Sequence, residues 1–109
     1  VALDEFKKIE DQEKIDAIVQ AAAVAALEAH GPLAVAAVKE TGRGIVEDKA
    51  IKNLYACEYI VNYMRDLKTV GVIDKDDVDG LTAIAEPVGV VCGVVPTTNP
   101  TSTTVFKSV

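Results

Sequence analysis

EPVGVVCGVVPTTNPTSTTVFK, residues Glu86–Lys107, decides how the chain is read. Val88 to Val95 is a short apolar run, rich in β-branched residues and broken by Gly89 and Gly93. The pattern predicts a strand buried on both faces. Pro96 ends it, because proline cannot donate a ladder hydrogen bond. Thr97, Thr98 and Asn99 form a polar turn, and Pro100 suits the first position of a helix with Asn99 as its N-cap. Thr101 to Val109 would be that helix's opening turns. Strand, polar loop and helix N-terminus then meet at one point. In open α/β sheets ligands gather beyond the carboxyl ends of strands, and a helix N-terminus favours anions.

Upstream of this unit the chain reads as helical. Leu3 to Glu10 is the end of a helix with Leu3, Phe6 and Ile9 on one side. Asp11 is the expected N-cap of a long second helix, with Glu13 in its first turn near the positive dipole end. Ile15, Ile18, Val19, Ala22 and Ala26 follow the spacing of one buried face. The alanine-rich run Ala21–Ala26 permits close helix packing. Gly31 is the expected C-cap, and Pro32 opens a third helix to about Thr41, its apolar face Leu33, Ala36 and Ala37. Gly42 and Gly44 break that helix around Arg43. Glu47 and Asp48 begin a fourth, whose stripe is Ala50, Leu54, Cys57, Val61 and Met64. Helices therefore fill 1–66. Residues 68–80 form a polar, acidic connection, and Leu81–Glu86 alternates weakly, as an edge strand does. The fold class is α/β, mostly helical here, with one or two strands at Leu81–Val95, a loop at 96–99 and a helix from 100.

Composition bounds the function. Half of the 109 residues are apolar, and the net charge of −6 leaves no basic stripe to neutralise nucleic-acid phosphates. No apolar run approaches the length of a membrane span, and the N-terminus has no signal-peptide pattern. Two cysteines in no CxxC spacing do not make a disulfide framework. A cytoplasmic protein is the expectation, with neither nucleic acid nor membrane as a partner. A buried parallel strand needs neighbours reached through long crossovers. None of that type is present, and the chain begins at Val1, so a segment of a larger subunit is expected.

Candidate chemistry outside the loop is sparse. Aligning Gly80 with the glycine of an EF-hand loop puts Asp77, Asp79 and Glu86 on ligand positions, but Lys75 on the first one, which a cation cannot fill. A solvated acidic loop is the better account. Cys57 lies on an apolar helix stripe and Cys92 inside the expected buried strand, where cysteine behaves as a small hydrophobe. Neither has a basic neighbour in sequence to lower its pKa. His30, the only histidine, falls at a helix C-terminus, a favourable dipole position, and supports no metal site. The GxxxG spacing of Gly89 and Gly93 means only close backbone approach in a strand.

GVVPTTNPTST, preceded by AEP and followed by FKS, resembles the first cofactor-binding strand and loop of the aldehyde dehydrogenase superfamily, usually worded EPLGVVGAIIPWNFP. The TTNPTS wording is similar to the coenzyme A-acylating branch, above all the acetaldehyde dehydrogenase half of bifunctional aldehyde-alcohol dehydrogenases. TGRGIVEDKAIKN, CEYI and LKTVGVI resemble that branch too, so the likeness runs over nearly all the chain. It implies an N-terminal segment of a Rossmann-like, NAD-binding domain. The implied reaction turns acetaldehyde or a short aldehyde, coenzyme A and NAD reversibly into acyl-CoA and NADH. The implied NAD contacts are Val94, Val95, Pro96, Thr97, Thr98 and Asn99. The implied assembly is a homo-oligomer or filament, and an iron-dependent alcohol dehydrogenase half comes after this one in bifunctional relatives. The family's nucleophilic cysteine lies downstream of these residues. Most of the superfamily places an oxyanion-binding asparagine in this loop. A gapless match puts Thr98 there and Asn99 one residue later, so neither is assigned that role. The competing reading is a small non-catalytic helical module whose apolar faces bind a partner.

Overall fold

Asp11 starts the helical layer as its spacing predicts, its carboxylate accepting from the Glu13 N–H at 3.0 Å. The computed structural model describes residues 1–109. After a short α1 (Ala2–Phe6), helix α2 (Gln12–Glu28) is followed by α3 (His30–Thr41) at a 63° bend. The bend comes two residues before the expected one: Ala29 is the C-cap, and Gly31 and Pro32 lie in the first turn of α3. Proline is tolerated there because a first-turn N–H has no intrahelical partner. Gly42 ends α3 in the left-handed conformation at φ +64°, its N–H bonded to the Val38 carbonyl.

Glu47 and Asp48 then open α4 (Val46–Leu54), as expected. A π-helical turn (Tyr55–Tyr59) and α5 (Ile60–Met64) continue it as one rod. Helix α4 packs on α3 and α6 (Pro100–Ser108), while the π turn touches both α2 and α6. The buried face of this rod runs through Lys49, Asn53, Ala56 and Cys57, the three–four spacing of one helix face. The apolar core is small: Ala23, Ala34, Ala37, Ala56 and Cys57. On α2 the buried face turns toward Ala23, leaving Ile18 and Ala22 exposed, and on α3 Ala34 replaces the exposed Ala36. Alanine at these contacts lets helix backbones approach closely, which branched side chains would prevent.

The chain is mostly helical with a two-stranded sheet, as expected. The strands sit differently. Leu81–Ala85 is β2, and its partner is β1 (Gly71–Asp76), within the stretch read as acidic loop. The two pair antiparallel, from Gly71 opposite Ala85 to Asp76 opposite Leu81, with an irregularity between Val72 and Asp74. The acids of this stretch shape the turn: Asp76 Oδ1 accepts from the N–H groups of Val78 and Asp79. At the root of the hairpin Gln12 exchanges two hydrogen bonds with Thr69.

Val88–Val95 is not a strand, and it is not buried. A strand exists by pairing, and β1 and β2 pair only with each other. The run instead passes unpaired over the surface, with Val88 91% and Val90 90% exposed. A Cβ at Gly89 would meet Leu3 at 3.7 Å, and one at Gly93 the Lys107 side chain at 3.3 Å. Contiguous exposed apolar surface of this kind drives association. The purified chain is therefore expected to show a mainly helical circular dichroism spectrum and to self-associate in sedimentation velocity. Val90→Lys with Val91→Lys should shift it toward monomer without loss of helix. A parent chain that sediments as a monomer would contradict this.

Candidate functional site

The loop is held by α4. Lys49 and Asn53, one helical turn apart, lie on the α4 face that meets α3 and α6, and both are buried. The aliphatic stem of Lys49 crosses Gly44, where an added Cβ would come within 3.1 Å of Lys49 Cε. Gly44 also has φ +75°, so glycine satisfies both the backbone and the space. Lys49 Nζ donates to the Thr98 carbonyl at 2.8 Å and takes part in none of the chain's ion pairs. Asn53 is 1% exposed. Its Nδ2 donates to the His30 carbonyl at 2.9 Å, and its Oδ1 accepts from the Thr101 hydroxyl at 2.7 Å. First turns of α3 and α6 are thereby joined through one amide.

Among the six expected site residues, Val94 and Val95 are exposed, as are Pro96, Thr97 and Thr98, and Asn99 is half-buried. Pro100 opens α6 as expected. Asn99 is the N-cap by position, but its side chain caps nothing. Its Oδ1 accepts from the Thr98 hydroxyl at 2.9 Å, because at φ −150°, ψ 63° the backbone is not that of a side-chain cap. A cavity of about 190 Å³ lies between the α4–π segment and α6, lined by Lys52, Tyr55, Ala56, Asn99, Ser102, Thr103 and Phe106. Of the six loop residues only Asn99 reaches it. A wider apolar groove of about 610 Å³ between α2 and α5 is lined in part by Cys57 and by none of the six.

Sequence reasoning missed Lys49, Asn53 and Thr101. No local signal marks the two α4 residues: Lys49 and Asn53 each sit one residue off the apolar stripe positions Ala50 and Leu54, where a helix ordinarily turns away from the core. Of the cysteines, Cys57 is buried as expected, and that burial pushes its thiol pKa up. Cys92 is exposed, a correction that comes from the unpaired valine run. His30 follows the C-cap of α2 directly, as expected, its ring Nδ1 against the Leu27 carbonyl of that helix's last turn, and it is also the first residue of α3.

With this geometry in place, the likeness to known proteins is specific. The chain is 64% identical over 109 residues to aldehyde-alcohol dehydrogenase 2 of Entamoeba histolytica, covering 99% of this chain and 12% of that protein. It is 73% identical over 85 residues to the aldehyde-alcohol dehydrogenase of Streptococcus pneumoniae, covering 78% of this chain and 10% of that protein. The crystal structure of an acetylating aldehyde dehydrogenase from Geobacillus thermoglucosidasius superposes with a TM-score of 0.90 at 48% identity, over 98% of this chain and 24% of that one. No family model matches the chain. Fold and sequence thus agree on the class: the chain matches a segment of the acylating aldehyde dehydrogenases. In particular it matches the N-terminal part of aldehyde-alcohol dehydrogenases, which bears out the resemblance read from GVVPTTNPTST. The chain spans about a tenth of the length of these curated relatives.

The cysteine environments give a direct test. Thiolate is the reactive form. At pH 8 a thiol reagent should modify exposed Cys92 rapidly and buried Cys57 slowly, with Cys57 catching up only as pH rises above the ordinary cysteine range. The raised pKa means that the folded state keeps a proton the unfolded state loses, so Cys57 should make stability fall as pH climbs through and above that range. Mass-resolved labelling of Cys92→Ser and Cys57→Ser chains reads both rates. Equal rates at pH 8 would contradict the burial of Cys57.

Proposed function

We propose that this chain is part of a cytoplasmic, NAD-dependent, coenzyme A-acylating aldehyde dehydrogenase, and that Val94–Asn99 line its dinucleotide site. The reaction class is reversible conversion of acetaldehyde or a short aldehyde, coenzyme A and NAD to acyl-CoA and NADH. The observation that carries the reading is the GVVPTTNPTST loop. It is fixed from behind by α4, with its polar tip open to solvent, in a chain close in sequence and fold to an acetylating aldehyde dehydrogenase.

The residues fit a dinucleotide. Val94 and Val95 are exposed apolar surface for a ring, followed at once by the exposed polar turn at Thr97 and Thr98. Asn99 leaves the first N–H groups of α6 without a side-chain cap, the arrangement that receives an anion. NAD, when bound, supplies the hydride acceptor. The chain's own part is to hold and orient: α4 fixes the Thr98 backbone, Asn53 fixes Thr101, and the turn between them faces outward. The nucleophilic thiol belongs to another part of the enzyme: Cys57 is buried with a raised pKa, Cys92 has no basic neighbour in sequence, and covalent catalysis needs an activated thiolate. On this reading Val88–Val95 pairs within a larger sheet, and the assembly is a homo-oligomer.

In the enzyme that carries this segment, Asn99→Ala should weaken NAD binding or slow hydride transfer while leaving coenzyme A affinity unchanged. A misplaced group near a reacting centre can cost about a hundredfold in rate. NAD titration and single-turnover absorbance measure the two steps. If both match the parent, the loop does not line the cofactor site. The 109 residues alone should turn over no aldehyde with coenzyme A and NAD. Turnover abolished by Cys57→Ser or Cys92→Ser would place the nucleophile here and overturn that part of the reading.

A further inference from the structure

The Thr98–Thr101 turn is tied at both ends to one helix. Lys49 Nζ holds the Thr98 carbonyl, and Asn53 Oδ1 holds the Thr101 hydroxyl. The two ties are four residues apart on α4, a rise of about 6 Å, and they flank Asn99 and Pro100 on the other side. The Lys49 tie is to backbone, so it fixes where the turn lies whichever side chain stands at 98. The Asn53 tie is made through a side chain 1% exposed and anchored in turn to the His30 carbonyl, so it cannot drift. Lys49 is an unusual choice for stability alone. It is 8% exposed, joins no ion pair, and presents its ammonium to a neutral carbonyl. Burying a cation on those terms is costly. A methionine would fill the space over Gly44 without that cost.

We propose that Lys49 and Asn53 are positioning residues for cofactor binding. They set the aim of Thr97–Asn99, so that losing the Lys49 tie weakens NAD binding through the loop rather than by direct contact. The inference rests on the reading that Val94–Asn99 line the dinucleotide site. Neither residue is among those the loop's wording pointed to.

The test uses Lys49→Met and Lys49→Arg in the enzyme that carries this segment, with Asn99→Ala as the loop control. Methionine keeps the stem that covers Gly44 and removes the donor, and arginine returns a donor. For Lys49→Met the KM for NAD should rise roughly tenfold, the effect of one lost charge-assisted hydrogen bond on an equilibrium. The KM for coenzyme A should stay at the parent value, and Lys49→Arg should recover most of the loss. Amide exchange at Thr97, Thr98 and Asn99 should quicken in Lys49→Met without NAD present. Three results would overturn the proposal. If Lys49→Met lowers the melting temperature and leaves KM for NAD unchanged while Asn99→Ala raises it, Lys49 is structural only and the loop reading stands. If KM rises with no change in amide exchange, Lys49 acts by direct contact and not by positioning. If neither Lys49→Met nor Asn99→Ala alters NAD kinetics, the loop does not line the cofactor site, and the inference falls with that reading.

Discussion

One buried amide joins three helices of this chain. Asn53 donates to the first turn of α3 and accepts from the first turn of α6, from a position on α4 that solvent barely reaches. The core around it explains why so few atoms matter. Its buried apolar residues are four alanines and Cys57, and a buried methylene-sized group contributes about 0.8 kcal/mol. A hydrogen bond contributes about 1 kcal/mol net, and a buried partner left unpaired costs about 1–3 kcal/mol. Polar ties therefore rank with apolar contacts in fixing how the helices sit. The alanines make the ties possible, because only small side chains bring α3, α4 and α6 close enough for one amide to span them.

Much of the helical layer was legible because its punctuation is local. Asp11, Gly42 and the acidic pair Glu47 and Asp48 act within a turn of their own position, and each stands where its chemistry predicts. The bend at Ala29 was misplaced by two residues because Pro32 is compatible with any position in a first turn. Strand β2 was legible from alternation, whereas β1 was not. Its sequence, GVIDKD, carries acids with low strand preference, and it is a strand because the Asp76 side chain closes the turn that lays it against β2. The valine run failed in the opposite sense. Its composition is that of a strand, but pairing is a property of two segments, and β1 and β2 pair only with each other.

The candidate site divides along the same line. The loop could be found from its wording, since Pro96, the polar turn and Pro100 announce a strand end and a helix start. Its supports could not. A lysine in an amphipathic helix ordinarily reads as solvated, and an asparagine reads as neutral. Lys49 is buried because Gly44, five residues earlier, has no side chain to exclude its stem, and because the turn at Thr98 returns to meet its ammonium. Asn53 is buried because α3 and α6 converge on it. Neither condition is visible within a helical turn of either residue. Asn99 is the converse case: a good N-cap residue at the right position whose backbone angles turn its side chain to Thr98 instead.

Electrostatics at the start of α6 bear on why Lys49 is there. A helix N-terminus carries partial positive charge, and a cation beside it is unfavourable by about 0.3–1 kcal/mol. Lys49 places its ammonium on the Thr98 carbonyl, one residue before the N-cap, and Asn99 supplies no side-chain oxygen to offset the exposed N–H groups. An acid at the same place would suit the dipole better, and an apolar residue would remove the desolvation cost. What a lysine does that neither can do is donate to a main-chain carbonyl of the turn. The arrangement gives up helix stability for a fixed loop backbone. That exchange makes sense where the placement of Thr97, Thr98 and Asn99 matters more than the strength of the helix they precede.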